Sequence, residues 1–259
     1  MCGVSHLKTN QPCQDEHGYA LLPGGSLVIA VADGAGSASQ AEIGAAAAAR
    51  AAVEAVQSAF EAESTQPRPE DFDEEQWRAL LKTALSQARE ALIRESESRQ
   101  SPLRDFATTL LLAVAGPHGV AAGQIGDGAI VAVDANGEFH TLTIPARGEY
   151  VNETTFLTAD RALDTMQTNV WRGEPIHLAT FSDGLQMLAL KLATGEAHRP
   201  FFDPLFRFLQ QQTDAAAATT ALDSFLRSPR IAERADDDLT LVLATHLKTA
   251  ADTVPSASS

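Results

Sequence analysis

The sequence predicts an α+β fold, in which antiparallel strands and long helices occupy separate stretches of the chain. Three observations carry this. Residues 27–32, LVIAVA, form a short, almost wholly apolar run rich in β-branched residues that stops at Asp33-Gly34, the pattern of a buried strand. Residues 106–144 alternate short apolar runs with Gly-Pro, Asp-Gly and Asn-Gly, the punctuation of hairpins. Two stretches, 41–64 and 71–96, have helical composition and spacing.

Taken in order, the loop GAGSASQ after the first strand leads into AEIGAAAAARAAVEAVQSAFEAES, rich in the best helix former, with Ser37 or Ser39 as a candidate N-cap. Pro67 and Pro69 interrupt the pattern. The second helix then places Trp77, Leu80, Leu81, Ala84, Leu85, Ala88, Leu92 and Ile93 on one side, with Asp71 or Asp73 to cap it and acids in its first turn, where the helix dipole favours them. The run from Phe106 reads as a meander of three or four antiparallel strands. Residues 145–168 have no clear period and are long for a passive connection, which marks them as functional. PIHLATFSDG is a further strand that ends, like the first, in Asp-Gly. Helical patterns follow in LQMLALKLAT, DPLFRFLQQQ and DAAAATTALDSFLRS, and a last strand, LTLVLATHL, is introduced by Asp236, Asp237 and Asp238.

Composition narrows the function classes. The chain has 259 residues, of which 44% are hydrophobic and 20% charged, enough to bury a sizeable core without staples. The 19 basic residues against 34 acidic ones give a net charge of −15, which argues against a grip on nucleic acid or on an anionic membrane surface. Cys2 and Cys13 have neither a disulfide framework nor metal-ligand spacing and suit a reducing compartment. The N-terminus shows no basic start followed by an apolar region, and the alanine-rich stretch 44–56 falls short of the ~20 residues a membrane span needs. The expectation is a cytoplasmic protein with one domain over 1–247 and a small, polar, disordered tail over 248–259.

The informative pattern is the placement of carboxylates at strand ends. Asp33 and Asp183 sit where strands exit, Asp127 in a turn between two more, Asp237 where the last begins and Asp15 just ahead of the first. If these acids converge on one sheet edge, their mutual repulsion and desolvation call for cations. Oxygen donors without a Cys or His set suit hard ions such as magnesium or manganese, and two such ions can activate water against a phosphoester. A plain turn is the competing reading for Asp127, because Asp-Gly is common in hairpins. Asp236 and Asp238 read as solvated neighbours.

The ordered segments CQDEHGYA, VADGAGSAS, FATTLLLAVA, IGDGAIVAV, FSDGL and DDDLTLVLAT resemble the protein phosphatase 2C family of metal-dependent serine/threonine phosphatases, over about residues 3–246. SHLKTNQPCQD and RGEYVNETTFLT look like its bacterial branch. The resemblance implies an α-β-β-α sandwich, two central antiparallel β-sheets flanked by helices. It implies that Asp33 bridges two metals with the Gly34 carbonyl as a further ligand, and that Asp183 and Asp237 hold the second ion. It also implies that Asp15 holds a metal-bound water, and that Asp127 joins Asp183 at a third, weaker site. Asp15, Asp33 and Asp183 are thus the expected catalytic set, working with two or three magnesium or manganese ions through a metal-bridging hydroxide.

The chain departs from the family in ways that bear on substrate. Gln14 stands where many members have glutamate, and no arginine precedes it by four residues; Lys8 is the candidate replacement as a point charge for phosphate. Ala35 occupies the position of a histidine found in many eukaryotic members, and His6 is a candidate in its place. Residues 147–164 correspond to the family's flap, with Arg147 the foremost substrate contact, beside Glu149, Asn152 and Glu153, while Tyr150 and Phe156 would pack the flap down. Thr108 and Thr109 are candidate supports of the site. The expected partner is a phosphorylated protein, with a cognate serine/threonine kinase or its target, and neither nucleic acid nor membrane. A pseudophosphatase that binds without turnover is the alternative that Gln14 and the missing arginine motivate.

Overall fold

A computed structural model describes residues 1–62, 72–145 and 154–246. Along the chain these form α1 (Val4–Thr9), β1 (Asp15–Leu21), β2 (Leu27–Asp33), α2 (Ala41–Ala62) and α3 (Glu74–Arg99). Strands β3 (Leu110–Gly116), β4 (Gly119–Ile125), β5 (Ala129–Asp134), β6 (Phe139–Thr143), β7 (Gln167–Arg172) and β8 (Pro175–Phe181) follow. The C-terminal part holds α4 (Gln186–Ala189), β9 (Leu190–Lys191), β10 (Glu196–Ala197), α5 (Arg199–Leu209), α6 (Ala215–Leu226), α7 (Pro229–Ala232) and β11 (Leu241–Thr245).

Two antiparallel sheets, ordered β1-β2-β3-β4-β7 and β11-β8-β5-β6, stack face to face. The alternation of side chains along β2 dictates the layering. Ile29 and Val31 point to the second sheet and join Leu111, Ala113, Ile130, Ala132 and Leu178 in the central layer. Val28, Ala30 and Ala32 point the other way, into a core with Leu81, Leu85 and Leu92 of α3 and the alanines of α2. The outer face of the second sheet, through Val131, Ala179 and Phe181, packs on Phe202, Leu205 and Phe206 of α5. The architecture is the α-β-β-α sandwich. Each fully buried aliphatic side chain in these layers contributes about 1.5–3 kcal/mol.

The helices form for the reasons their sequences gave. The alanine run of α2 lets it lie close to its neighbours: a Cβ at Gly44 would stand 2.2 Å from the Phe106 carbonyl oxygen. Asp73 caps α3 by accepting from the Gln76 N–H at 2.8 Å, while the Gln76 side chain accepts in return from the Asp73 N–H, a reciprocal capping box.

Three sequence readings are corrected. The meander over 106–144 is instead two hairpins in different sheets, β3-β4 in the first and β5-β6 in the second. The chain crosses between them at residues 126–128, where Gly126 has φ 114 and a Cβ would meet the Thr109 side chain at 2.5 Å. LQMLALKLAT is helical only over Gln186–Ala189, because Leu190 turns extended (φ −122, ψ 149) and pairs with Ala197. Strands β1 and β7, which the apolar pattern did not reveal, are the two edges of the first sheet. The tail, 248–259, lies outside the described residues.

Candidate active site

Antiparallel register gathers the strand-end acids at one rim of the sandwich. Asp15 and Asp33 are direct cross-strand partners. Ala129 at the start of β5 and Leu241 at the start of β11 both pair with Phe181 at the end of β8. Asp127, Asp183 and Asp237 therefore flank the same edge of the second sheet. Thr108 and Thr109 fix the backbone of Asp33: the Thr108 hydroxyl and the Thr109 N–H donate to its carbonyl (2.9 and 2.8 Å), and the Thr109 hydroxyl accepts from its N–H (3.1 Å).

The loops after these acids approach so closely that glycine is required. A Cβ on Gly34 would lie 2.8 Å from both the Ala41 Cβ and the Gln14 carbonyl oxygen. A Cβ on Gly184 would lie 2.3 Å from the Asp238 carbonyl oxygen.

A polar lattice locks the two sheets together at this rim. The Ser182 hydroxyl donates to Asp15 Oδ2 at 2.7 Å and accepts from the Thr240 N–H at 3.0 Å, so one side chain orients Asp15 across the sheets. Thr154 donates to Asp127 Oδ2, and Gln186 Nε2 donates to the Asp127 carbonyl. Gln124 Nε2 donates to the carbonyls of Gly126 and Gly128 and thereby holds the crossing that carries Asp127. Asp238, only 2% exposed, accepts from the N–H groups of Gly3 and Gln14 at 2.6 Å each and lies 3.0 Å from His6 Nδ1. Burial works to raise this carboxyl, but those hydrogen bonds and His6 hold it below its ordinary value. It is a buried anchor, which corrects its reading as a solvated neighbour.

The electrostatics at the rim run the other way. Burial pushes Asp15 up to about 7, and the charges of Asp238 and Asp183 add to the rise. Burial, then the charges of Asp15 and Asp183, drives Asp33 well above its usual value, and its carboxyl lies close enough to Asp183 for the two to share a hydrogen bond. Asp183 is raised by burial and by Asp127 and Asp237. Among the described residues, Asp15 Oδ1, Asp183 Oδ1 and Gln14 Oε1 are buried without a hydrogen-bond partner. Unsatisfied oxygens and mutually repelling carboxylates are what a divalent cation corrects, and an all-oxygen donor set suits magnesium or manganese. The residues fit such ions.

The structure thus brings Asp15, Asp33, Gly34, Asp127 and Asp183 to one place, with Asp237 exposed beside them and acting on Asp33 and Asp183 through its charge. Of the expected substrate contacts, Lys8 is exposed on α1. His6, the candidate for the histidine missing at Ala35 and for substrate contact, is 7% exposed and turned onto Asp238. Arg147 lies outside the described residues, as do Glu149, Tyr150, Asn152 and Glu153. Sequence reasoning missed Ser182, Gln124, Gln186 and Asp238 as supports. Ser182 and Asp238 had a signal, their places in Ser-Asp-Gly and in Asp-Asp-Asp-Leu-Thr.

The sequence profile of the protein phosphatase 2C family matches residues 2–227. The chain belongs to that family. Protein phosphatases 2C are metal-dependent phosphoric monoester hydrolases. The chain is 36% identical over 250 residues to serine/threonine-protein phosphatase 3 of Escherichia coli, covering 93% of this chain and 94% of that one. The fold matches a bacterial serine phosphatase with a TM-score of 0.62 at 15% identity, covering 91% of this chain and 92% of the other. It matches a Staphylococcus aureus serine/threonine phosphatase with a TM-score of 0.61 at 15% identity, covering 92% and 91%. Among the described residues no helix is long and apolar enough to cross a membrane.

Proposed function

We propose that this protein phosphatase 2C hydrolyses phosphoserine and phosphothreonine in protein substrates at the carboxylate rim, with a cognate kinase or its target among its partners. The observation that carries the reading is that Asp15, Asp33 and Asp183, all half-buried, are raised by desolvation and by neighbouring carboxylates, with Asp15 Oδ1 and Asp183 Oδ1 lacking a hydrogen-bond partner among the described residues. In this reading Asp33, the Gly34 carbonyl, Asp183 and Asp237 would hold two cations, and Asp127 with Asp183 would hold a third more weakly. Bound there, magnesium or manganese supplies an acidified water as nucleophile and positive charge for the phosphoryl oxygens.

The remaining work falls to the chain. Asp15, kept in one orientation by Ser182, accepts a hydrogen bond from a water in the site and fixes its direction of attack. Gln14 offers a neutral amide oxygen, so it positions water without adding charge. Water attacks phosphorus, the bond to the serine or threonine oxygen breaks, the released oxygen gains a proton in place of the one the attacking water gives up, and no phosphoenzyme forms. With a net charge of −15 the surface repels phosphopeptides, so attraction comes from the cations and from Lys8 and Arg147. One phosphatase unit over 1–247 and a cytoplasmic location belong to the same proposal.

The test is turnover of a phosphopeptide by metal-stripped protein, alone and with manganese restored. Activity that returns with manganese and is lost in Asp33→Ala and Asp183→Ala supports the reading; hydrolysis that survives chelation overturns it. Manganese binding by calorimetry without hydrolysis would favour the pseudophosphatase, and faster turnover of nucleotides or sugar phosphates would move the substrate to small metabolites.

A further inference from the structure

A second donor cluster lies on the N-terminal segment, and its chemistry differs from that of the rim. Cys2 Sγ, a ring nitrogen of His6 and a carboxylate oxygen of Asp238 all lie within 4.8 Å of one another. We propose that these three side chains form a site for one thiophilic divalent cation of the zinc class, separate from the oxygen-donor sites of the phosphatase reaction.

The donor set is the first argument. Thiolate, imidazole and carboxylate together select zinc over magnesium, which takes oxygen ligands and keeps its waters. Geometry is the second. In a tetrahedral zinc site with N and O ligands at about 2.0–2.1 Å and sulfur at about 2.3 Å, ligand atoms lie roughly 3.3–3.6 Å apart. His6 Nδ1 and Asp238 Oδ2 are 3.0 Å apart, so a few tenths of an ångström of opening accommodates the ion.

Preorganisation is the third argument. Met1 donates its amino group to the Leu239 carbonyl (2.7 Å) and its own carbonyl accepts from the Leu239 N–H (2.9 Å), while the Ser5 N–H donates to Asp236 (3.1 Å). Gly3 and Gln14 fix the Asp238 carboxylate from two sides. The N-terminal strap and the segment leading into β11 are thus held together before the ion arrives, with the three donors within 4.8 Å of one another. Binding displaces the Cys2 thiol proton to solvent, so that sulfur ligates as thiolate. Three protein donors leave the fourth position to water.

The site is tested by cobalt titration of the full chain, stripped of metal and then held in saturating magnesium so that the oxygen-donor sites are filled. A sulfur-to-cobalt charge-transfer band that saturates at one equivalent, is displaced by zinc, disappears in Cys2→Ser and persists in Cys13→Ser supports the proposal. No band in the folded wild-type chain, or a band that survives Cys2→Ser or is lost in Cys13→Ser, overturns it. A measurement on the wild type alone guards against a variant that fails to fold. Zinc in the presence of magnesium should slow alkylation of Cys2 relative to Cys13, read by mass spectrometry, and equal alkylation with and without zinc refutes the site. None of these readouts depends on phosphatase turnover.

Discussion

Replacing Asp15 with asparagine in metal-stripped protein should remove a large part of its sensitivity to alkali. The folded chain holds this carboxyl at about 7, mainly by burial, against an ordinary value of 3.8. Between those values the folded chain keeps a proton that the unfolded chain has released, so stability falls as pH rises and levels off above 7. Each pH unit well inside that interval costs about 1.4 kcal/mol, and because the group is half ionised at pH 7 the loss from pH 5 to pH 7 is about 2 kcal/mol. The window is chosen because Asp134, Glu196, Asp223 and Asp238, all held low, are ionised above pH 5 whether the chain is folded or not. His177, lowered by burial, slopes the opposite way, but equally in both chains. Asparagine keeps an oxygen for the Ser182 hydroxyl, so the variant removes charge with little change of shape. Urea denaturation followed by circular dichroism at half-unit pH steps gives the two curves. They should diverge by about 2 kcal/mol across the window, the wild type losing more, and manganese should flatten the wild-type curve. Parallel curves, or a wild type that gains stability as it is made alkaline, would show that Asp15 does not sit in a desolvated carboxylate cluster.

Two further outcomes follow from the supports of the rim. Ser182→Ala frees Asp15 Oδ2 and leaves the Thr240 N–H without its acceptor, so the manganese concentration for half-maximal activity should rise about 10- to 100-fold; an unchanged midpoint would remove Ser182 from the site. Asp238→Ala strands His6 and two buried N–H groups, and thermal or urea unfolding should show a loss of about 3–5 kcal/mol. A loss under about 1 kcal/mol would mean that the carboxylate is solvated after all.

The legible parts of the fold were those whose signal is local. Residues 27–32 and 175–181 announce buried strands because both faces of each are covered, and the candidate caps Asp71 and Asp73 stand directly ahead of the helical pattern, the structure choosing Asp73. Strands β1 and β7 escaped notice because they are edges. DEHGYAL and QTNVWR bury little, and cross-strand hydrogen bonds to β2 and β4 hold them in place. The helix expected over 185–194 was cut short by a pairing partner, Ala197, that periodicity cannot see.

The order of residues is enough to say which acids stand at strand ends, what donor chemistry they offer and, through ordered motifs, the family. The company each acid keeps is set by the folding of distant segments onto one another. Asp127 reads as a hairpin turn until the chain is seen to change sheets there. Asp238 looks solvated until Gly3 and Gln14, more than 220 residues away, are found bonded to it. Cys2 looks inert until His6 and Asp238 are found beside it. Propensity and spacing are properties of neighbours along the chain, whereas desolvation and charge pairing depend on which distant segments the two packed sheets bring to one edge.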